Sequence, residues 1–261
     1  MVDTSKNGYT VVFLAITTIV AALVLSIASE QLKVKQAVNK KFDQKKIVMK
    51  AMGFKIDDGA KPADIDAIYK KSVERIFVTP MGKIVSVKDA DKYNFEKTLK
   101  PVGLHKAPVD MANLSDAAKS VPMPVFIRKD EKGLPLNYTF PVTGKGLWST
   151  LYGYISLNAK DLNTIEGAIF YDTGETPGLG KEIEADWFCK NFVGKKILNA
   201  EGKFVSVSVN KGVVNPSDKM FEHKVDGVSG ATLTCNGVTD LLNKDFHLYE
   251  AYLNSLRGGK K

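Results

Sequence analysis

LWSTLYGYISL at residues 147–157, followed after a short connection by IEGAIFY at 165–171, is the stretch on which the fold class turns. Both segments are rich in aromatic and β-branched residues and read as strands. Further on, residues 204–209 alternate, with Val205, Val207 and Val209 on one face and Ser206 and Ser208 on the other, the pattern of a strand with one buried face. Between these lies a predicted helix over 184–192. A final helix follows, whose Val238, Leu241, Leu242, Tyr249, Leu253 and Leu256 form a single apolar stripe. Strands and helices succeed one another too irregularly for a doubly wound parallel sheet, so the expected class is α+β.

Upstream the chain is simpler. Residues 9–28, YTVVFLAITTIVAALVLSIA, carry no charge, no Pro and no Gly, and twenty residues are what an α-helix needs to cross the hydrocarbon of a bilayer. A cleaved secretory signal is the competing reading, because Ser26-Ile27-Ala28 precedes Ser29 in a cleavage-like arrangement. The apolar run is long for such a signal and only Lys6 precedes it, which favours an uncleaved anchor. The helical pattern continues through Val34, Val38, Phe42, Met49 and Met52 to a stop at Gly53. A second amphipathic pattern follows at Ile65, Ile68, Tyr69 and Ile76, then a short strand at 84–87; the Pro-punctuated segment 121–138 reads as extended chain and turns.

The 261 residues carry 37 basic and 29 acidic side chains, a net charge of +8. A balance that basic raises nucleic acid or an anionic surface as partners, and the location of the charge decides. Residues 31–50 hold seven Lys and one acid, Asp43, so the remainder is nearly balanced; with only Arg75, Arg128 and Arg257 in the chain, a nucleic-acid groove is excluded as an expectation. Lys33, Lys35, Lys40, Lys41, Lys45 and Lys46 all follow the apolar span, and a positive-inside count would place what comes after it in the cytoplasm. Cys189 and Cys235 leave open a single disulfide or two buried thiols.

Most motif readings fail. GETPGLG at 174–180 with Lys181 would need Gly at Glu175 and Ser or Thr at Glu182 to be a Walker loop, and Gly at Ile183 to be a dinucleotide fingerprint. His105, His223, His247 and the two Cys show no metal-ligand spacing, and there is no nucleophile elbow, so neither a metal site nor a catalytic residue is expected. What remains is DGVSGAT at 226–232, directly before the final helix, which puts Thr232 at its first turn. Unpaired N–H groups and the positive end of the helix dipole make such a turn a phosphate receptacle, and Gly230 and Ala231 let a bulky ligand approach the backbone. An ordinary Ser/Thr cap with a Gly turn fits the same string.

DGVSGAT resembles the flavinylation motif D-x-x-(S/T)-G-A-(T/S) of the FMN-binding-domain family. With the anchor, GLW at 146–148 and ETPGLG at 175–180 in that order, the chain is similar to the C subunits of sodium-translocating NADH:quinone oxidoreductases. The resemblance implies FMN joined through a phosphoester to Thr232, with Thr234 as the nearest rival, Ser229, Gly230, Ala231 and Asp226 completing the motif, and attachment by a separate flavin transferase. Asp226 either assists a metal-dependent transfer or closes an Asx-type turn. Glu175, Thr176, Gly178, Leu179 and Gly180 would line the flavin, Leu179 and Trp148 would cover its ring unless Trp148 is core, and Lys211 would place a charge near the phosphate or ring unless it is simply solvated. The domains implied are a tail at 1–8, a transmembrane helix at 9–28, a helical stalk at 29–56, an intervening α/β segment at 57–140 and an FMN-binding domain with a mostly antiparallel sheet at 141–257. The partners implied are the membrane and the B, D and E subunits, with A and F indirectly. The chain would relay single electrons and complete no reaction alone, its large domain lying on the periplasmic side of the bacterial inner membrane. The G subunit of the Rnf complex carries the same motif but lacks much of what corresponds to 60–137 here. A membrane-tethered binding module without redox chemistry is the alternative of a different class.

Overall fold

The computed structural model describes residues 7–57, 59–90 and 93–258; Lys6 and most of the expected tail at 1–8 lie outside them. The chain divides into two units, Met1–Lys45 and Lys46–Lys261. The first consists of most of helix α1, Asn7–Ala51, which opens with a 26-residue apolar segment, Gly8–Lys33, long enough to cross a bilayer and with none of its most apolar window buried in protein. Within it Thr17 donates its hydroxyl to the Phe13 carbonyl at 2.9 Å, which satisfies a polar group that lipid would leave stranded.

The second unit is built on a six-stranded sheet, every neighbouring pair antiparallel, in the order β2-β1-β3-β4-β5-β6. Its strands are β1 (Val73–Val78), β2 (Ile84–Val85), β3 (Met123–Lys129), β4 (Pro135–Lys145), β5 (Thr150–Asn158) and β6 (Ile165–Tyr171). Short helices α2 (Pro62–Ser72), α3 (Phe95–Leu99), α4 (Asp116–Lys119) and α5 (Asp186–Lys190), a two-stranded parallel pair β7 (Ser208–Val209) and β8 (Lys224–Val225), and the long α6 (Thr232–Gly258) complete it. The class is α+β, as the irregular succession of strands and helices implied.

Alternate residues of β3 and β5 go to different cores. Val125 and Ile127 of β3 and Leu151 and Ile155 of β5 join the large core under α6, while Phe126 and Tyr154 pack with Val48, Ala51 and Met52 from the last turns of α1. That end of α1 closes as a Schellman motif: Gly53 has φ +80°, its N–H donates to Lys50 O and the Phe54 N–H to Met49 O. Arg128 and the Asn137 amide both donate to Met52 O, at 2.7 and 3.0 Å, and the guanidinium lies 4.1 Å from the Phe54 ring centre.

The segment 121–138, expected as extended chain and turns, is extended as β3, a turn at 130–134 and the start of β4. Its prolines are tolerated because the two strands pair only from Phe126↔Thr139 to Lys129↔Pro135. Pro124 therefore has β1 as its strand neighbour and Pro141 has β5, so neither removes a hydrogen bond from a doubly paired position. The β4 edge left open beyond Thr139 is taken by α6: Thr143 N donates to Asp245 Oδ2 at 2.7 Å, and Phe140 packs against Phe246 and Tyr249. Since β4 runs through residues 140 and 141, the sheet is continuous across the boundary expected there.

Two expected elements change. Residues 204–209 are not one strand, because Val205 and Ser206 both donate to Ile197 O and Ser206 takes φ +60°, which kinks the chain before β7. The helix expected over 184–192 shrinks to α5, and a 3₁₀ turn, Gly180–Glu184, precedes it.

Candidate functional site

Three segments meet at the N-terminus of α6. They are the turn at 146–149 between β4 and β5, the loop after β6 ending in the Gly180–Glu184 turn, and the DGVSGAT string that leads into the helix. Residues 147–149, expected within a strand, form the turn itself.

Glu175 joins them. It is only 3% exposed, and its Oε1 accepts from the backbone N–H of Trp148 at 2.9 Å and of Ser149 at 3.0 Å. Its Oε2 accepts the Thr234 hydroxyl at 2.7 Å. Burial pushes this carboxyl up, but the hydrogen bonds from Thr234 and from the backbone of Trp148, Ser149 and Leu147 more than offset it and hold the group below its ordinary range. The glycines at 146 and 180 are required by this carboxylate, since a Cβ at either would come within 2.5 and 2.8 Å of its oxygens. Ser149 adds a second tie, its Oγ accepting from Gly174 N at 2.8 Å.

At the helix start the two threonines separate. Thr234 is 1% exposed and its hydroxyl is spent on Glu175, whereas Thr232, the first residue of α6, is exposed. The first turn closes with Cys235 N donating to Ala231 O, so the N–H groups of Thr232, Leu233 and Thr234 have no acceptor further back in the helix. Gly230 takes φ +75° and lies against Leu179, whose Cδ2 would be 2.9 Å from an added Cβ. Leu179 and Leu233 are exposed, and Trp148 is 73% exposed, so it is not core. Thr176 supplies a carbonyl that accepts from Leu179 N and Lys181 N, and Gly178, at φ +73°, completes the turn.

Asp226 closes a loop: its Oδ1 accepts from Val214 N at 2.7 Å, and Gly227 N donates to Gly212 O. This fastens the loop carrying the exposed Lys211 to the motif, in which Ser229 is exposed as well. Cys189 and Cys235 are buried and unpaired, and burial pushes the Cys189 thiol up to about 11. Among the described residues no cluster of three or more His, Cys, Asp or Glu could hold a metal. A cleft of about 210 Å³ lined by Pro108, Asp240, Lys244 and His247 includes none of the residues expected to bind FMN.

An exposed hydroxyl beside unpaired helix N–H groups suits a phosphate ester, and an exposed indole on the turn that Glu175 ties to this helix, with two exposed leucines, suits a flat ring, so the residues present fit FMN. The FMN-binding-domain family model matches residues 146–245, which contain all three segments. The C subunit of the Na(+)-translocating NADH-quinone reductase of Haemophilus ducreyi is 35% identical over 238 residues, covering 90% of this chain and 87% of that one. The chain belongs to the C-subunit family of these reductases. The Pseudomonas aeruginosa C subunit is 32% identical across 100% of both chains. A crystal structure of the C subunit from Parabacteroides distasonis superposes with a TM-score of 0.66 at 31% identity, covering 85% of this chain and 96% of that one. One of Shewanella oneidensis NqrC gives 0.67 at 28% identity, covering 84% and 99%. As a member of this family, the chain has an FMN-binding domain and, among the described residues, one apolar helix suited to a membrane anchor. Glu175 is the residue whose part the sequence left most open: GLW and ETPGLG carry the signal, and their junction through one buried carboxylate appears only in three dimensions.

Proposed function

We propose that this chain is the membrane-anchored flavoprotein subunit of its complex, holding FMN by a phosphoester to Thr232 and passing single electrons through it. The observation that carries the reading is the contrast between an exposed Thr232 and a buried, hydrogen-bonded Thr234 at one helix N-terminus. FMN supplies the one-electron chemistry; the protein supplies position and electrostatics. The first-turn N–H groups of α6 receive the phosphate and the helix dipole favours its charge. Trp148, Leu179 and Leu233 offer apolar cover to the ring, while Thr176, Gly178 and Gly180 offer backbone groups to its polar edge. Asp226 acts by closing the loop that brings Lys211 to the motif. No side-chain acid or base is required of the chain.

Attachment is the work of a separate flavin transferase using FAD as donor. The electrons come from an iron centre in the neighbouring D and E membrane subunits and go to the FMN of the B subunit, with A and F further along the complex. The anchor lies in the bacterial inner membrane and the folded unit on its periplasmic side. A denaturing gel of the chain coexpressed with the transferase, viewed under ultraviolet light, tests the attachment. The band fluoresces in wild type and in Thr234→Ala and is dark in Thr232→Ala; a fluorescent Thr232→Ala band refutes the assignment. Protease shaving of sealed spheroplasts tests the side, and protection of the folded unit overturns it.

A further inference from the structure

Glu175 does more than close a loop. Polar groups converge on its carboxylate: the backbone of Leu147, the N–H groups of Trp148 and Ser149, the Ser149 hydroxyl and the Thr234 hydroxyl. Among the described residues no Lys or Arg forms a hydrogen bond or ion pair with it, so its negative charge is held by neutral dipoles alone. It is therefore a buried anion set against the turn of α6 that begins with the exposed Thr232, and in contact with the turn that presents Trp148.

We propose that Glu175 is the positioning residue of the flavin site and also its fixed negative charge, setting the Trp148 turn against the α6 N-terminus and lowering the reduction potential of the flavin seated there. The proposal rests on the reading that Thr232 carries FMN. Its physical basis is that each electron gained by a flavin adds negative charge, which a buried anion nearby opposes more strongly than a neutral side chain does. Glutamine keeps the shape and removes the charge; aspartate keeps the charge and shortens the reach by a methylene; alanine removes both and strands the N–H groups of Trp148 and Ser149.

The test uses the full chain coexpressed with the transferase and purified in detergent. Three readouts are taken: gel fluorescence for loading, thermal melting for folding, and a spectroelectrochemical titration for the potential. Glu175→Gln is expected to load and to show a potential shifted upward from wild type. Glu175→Asp is expected to load less than wild type while holding a low potential, and Glu175→Ala to melt cooperatively yet carry only a small fraction of the flavin. A Glu175→Gln protein with the wild-type potential overturns the electrostatic role. Full loading of Glu175→Ala or Glu175→Asp overturns the positioning role. Should Glu175→Ala not fold, Glu175→Asp alone decides that second point. A wild-type chain without covalent flavin strikes instead at the assignment of Thr232.

Discussion

Replacing Gly237 by Ala sets helix propensity against packing at one position. In an isolated helix the change gains about 1 kcal/mol. Here Gly237 is buried where α6 crosses the turn between β4 and β5, and an added Cβ runs into the Lys145 carbonyl oxygen, with Gly146 Cα and Leu151 Cδ1 each 3.3 Å away. Two of those three atoms belong to backbone that Glu175 and the β4–β5 pairing hold in place, so the helix must move instead. Overpacking of this kind costs up to about 3 kcal/mol, and packing therefore wins by about 2 kcal/mol. For a unit of this size that lowers Tm by about 4–8 °C. Near-ultraviolet circular dichroism during heating of the detergent-solubilised chain measures it, with Gly258→Ala as control because nothing lies within 4 Å of a Cβ there. The displaced helix start should also reduce flavin loading. A Gly237→Ala protein that melts at or above wild type refutes the reasoning.

Asp245→Ala leaves the buried Lys244 ammonium without its carboxylate and Thr143 N–H without an acceptor, so urea unfolding should show a loss of about 3–5 kcal/mol, with Asp245→Asn between; a neutral Asp245→Ala contradicts the burial of the pair. Burial raises both cysteine thiols, so the native chain at pH 8 should react slowly with a thiol reagent that labels both residues once it is unfolded, and prompt native labelling contradicts this. The Glu175 carboxyl lies below its ordinary value of 4.5 in the folded chain, so the unfolded chain takes up the proton first. Its stabilisation is thus present above that value and lost as pH falls through the folded one, and acid titration of stability should be steeper in wild type than in Glu175→Gln. Equal slopes in the two proteins would contradict the ionised state.

The site was legible in the sequence to the extent that it is local. DGVSGAT must precede a helix to have its chemistry, and the apolar periodicity from Val238 to Leu256 announces that helix from the residues alone. The strand at 165–171 was legible for an equally local reason, aromatic and β-branched residues over a short run. Residues 204–209 misled because their alternation is real while the backbone turns at Ser206 to give two N–H groups to Ile197 O, a long-range demand that no short stretch of chain contains. The extended chain and turn of 121–138 were legible, but not which edges its strands pair on, since pairing is a property of the sheet.

By itself the sequence determined the apolar helix, the stop at Gly53, the α+β class and the threonine string before the last helix, because each depends on spacing within a few turns of chain. Only the tertiary structure decided which threonine faces outward, that Trp148 is exposed, that the cysteines stay apart, and that Glu175 ties the turn at 146–149 to α6. Those outcomes depend on which distant donors reach one buried carboxylate, and that is settled by how β4, β6 and α6 pack.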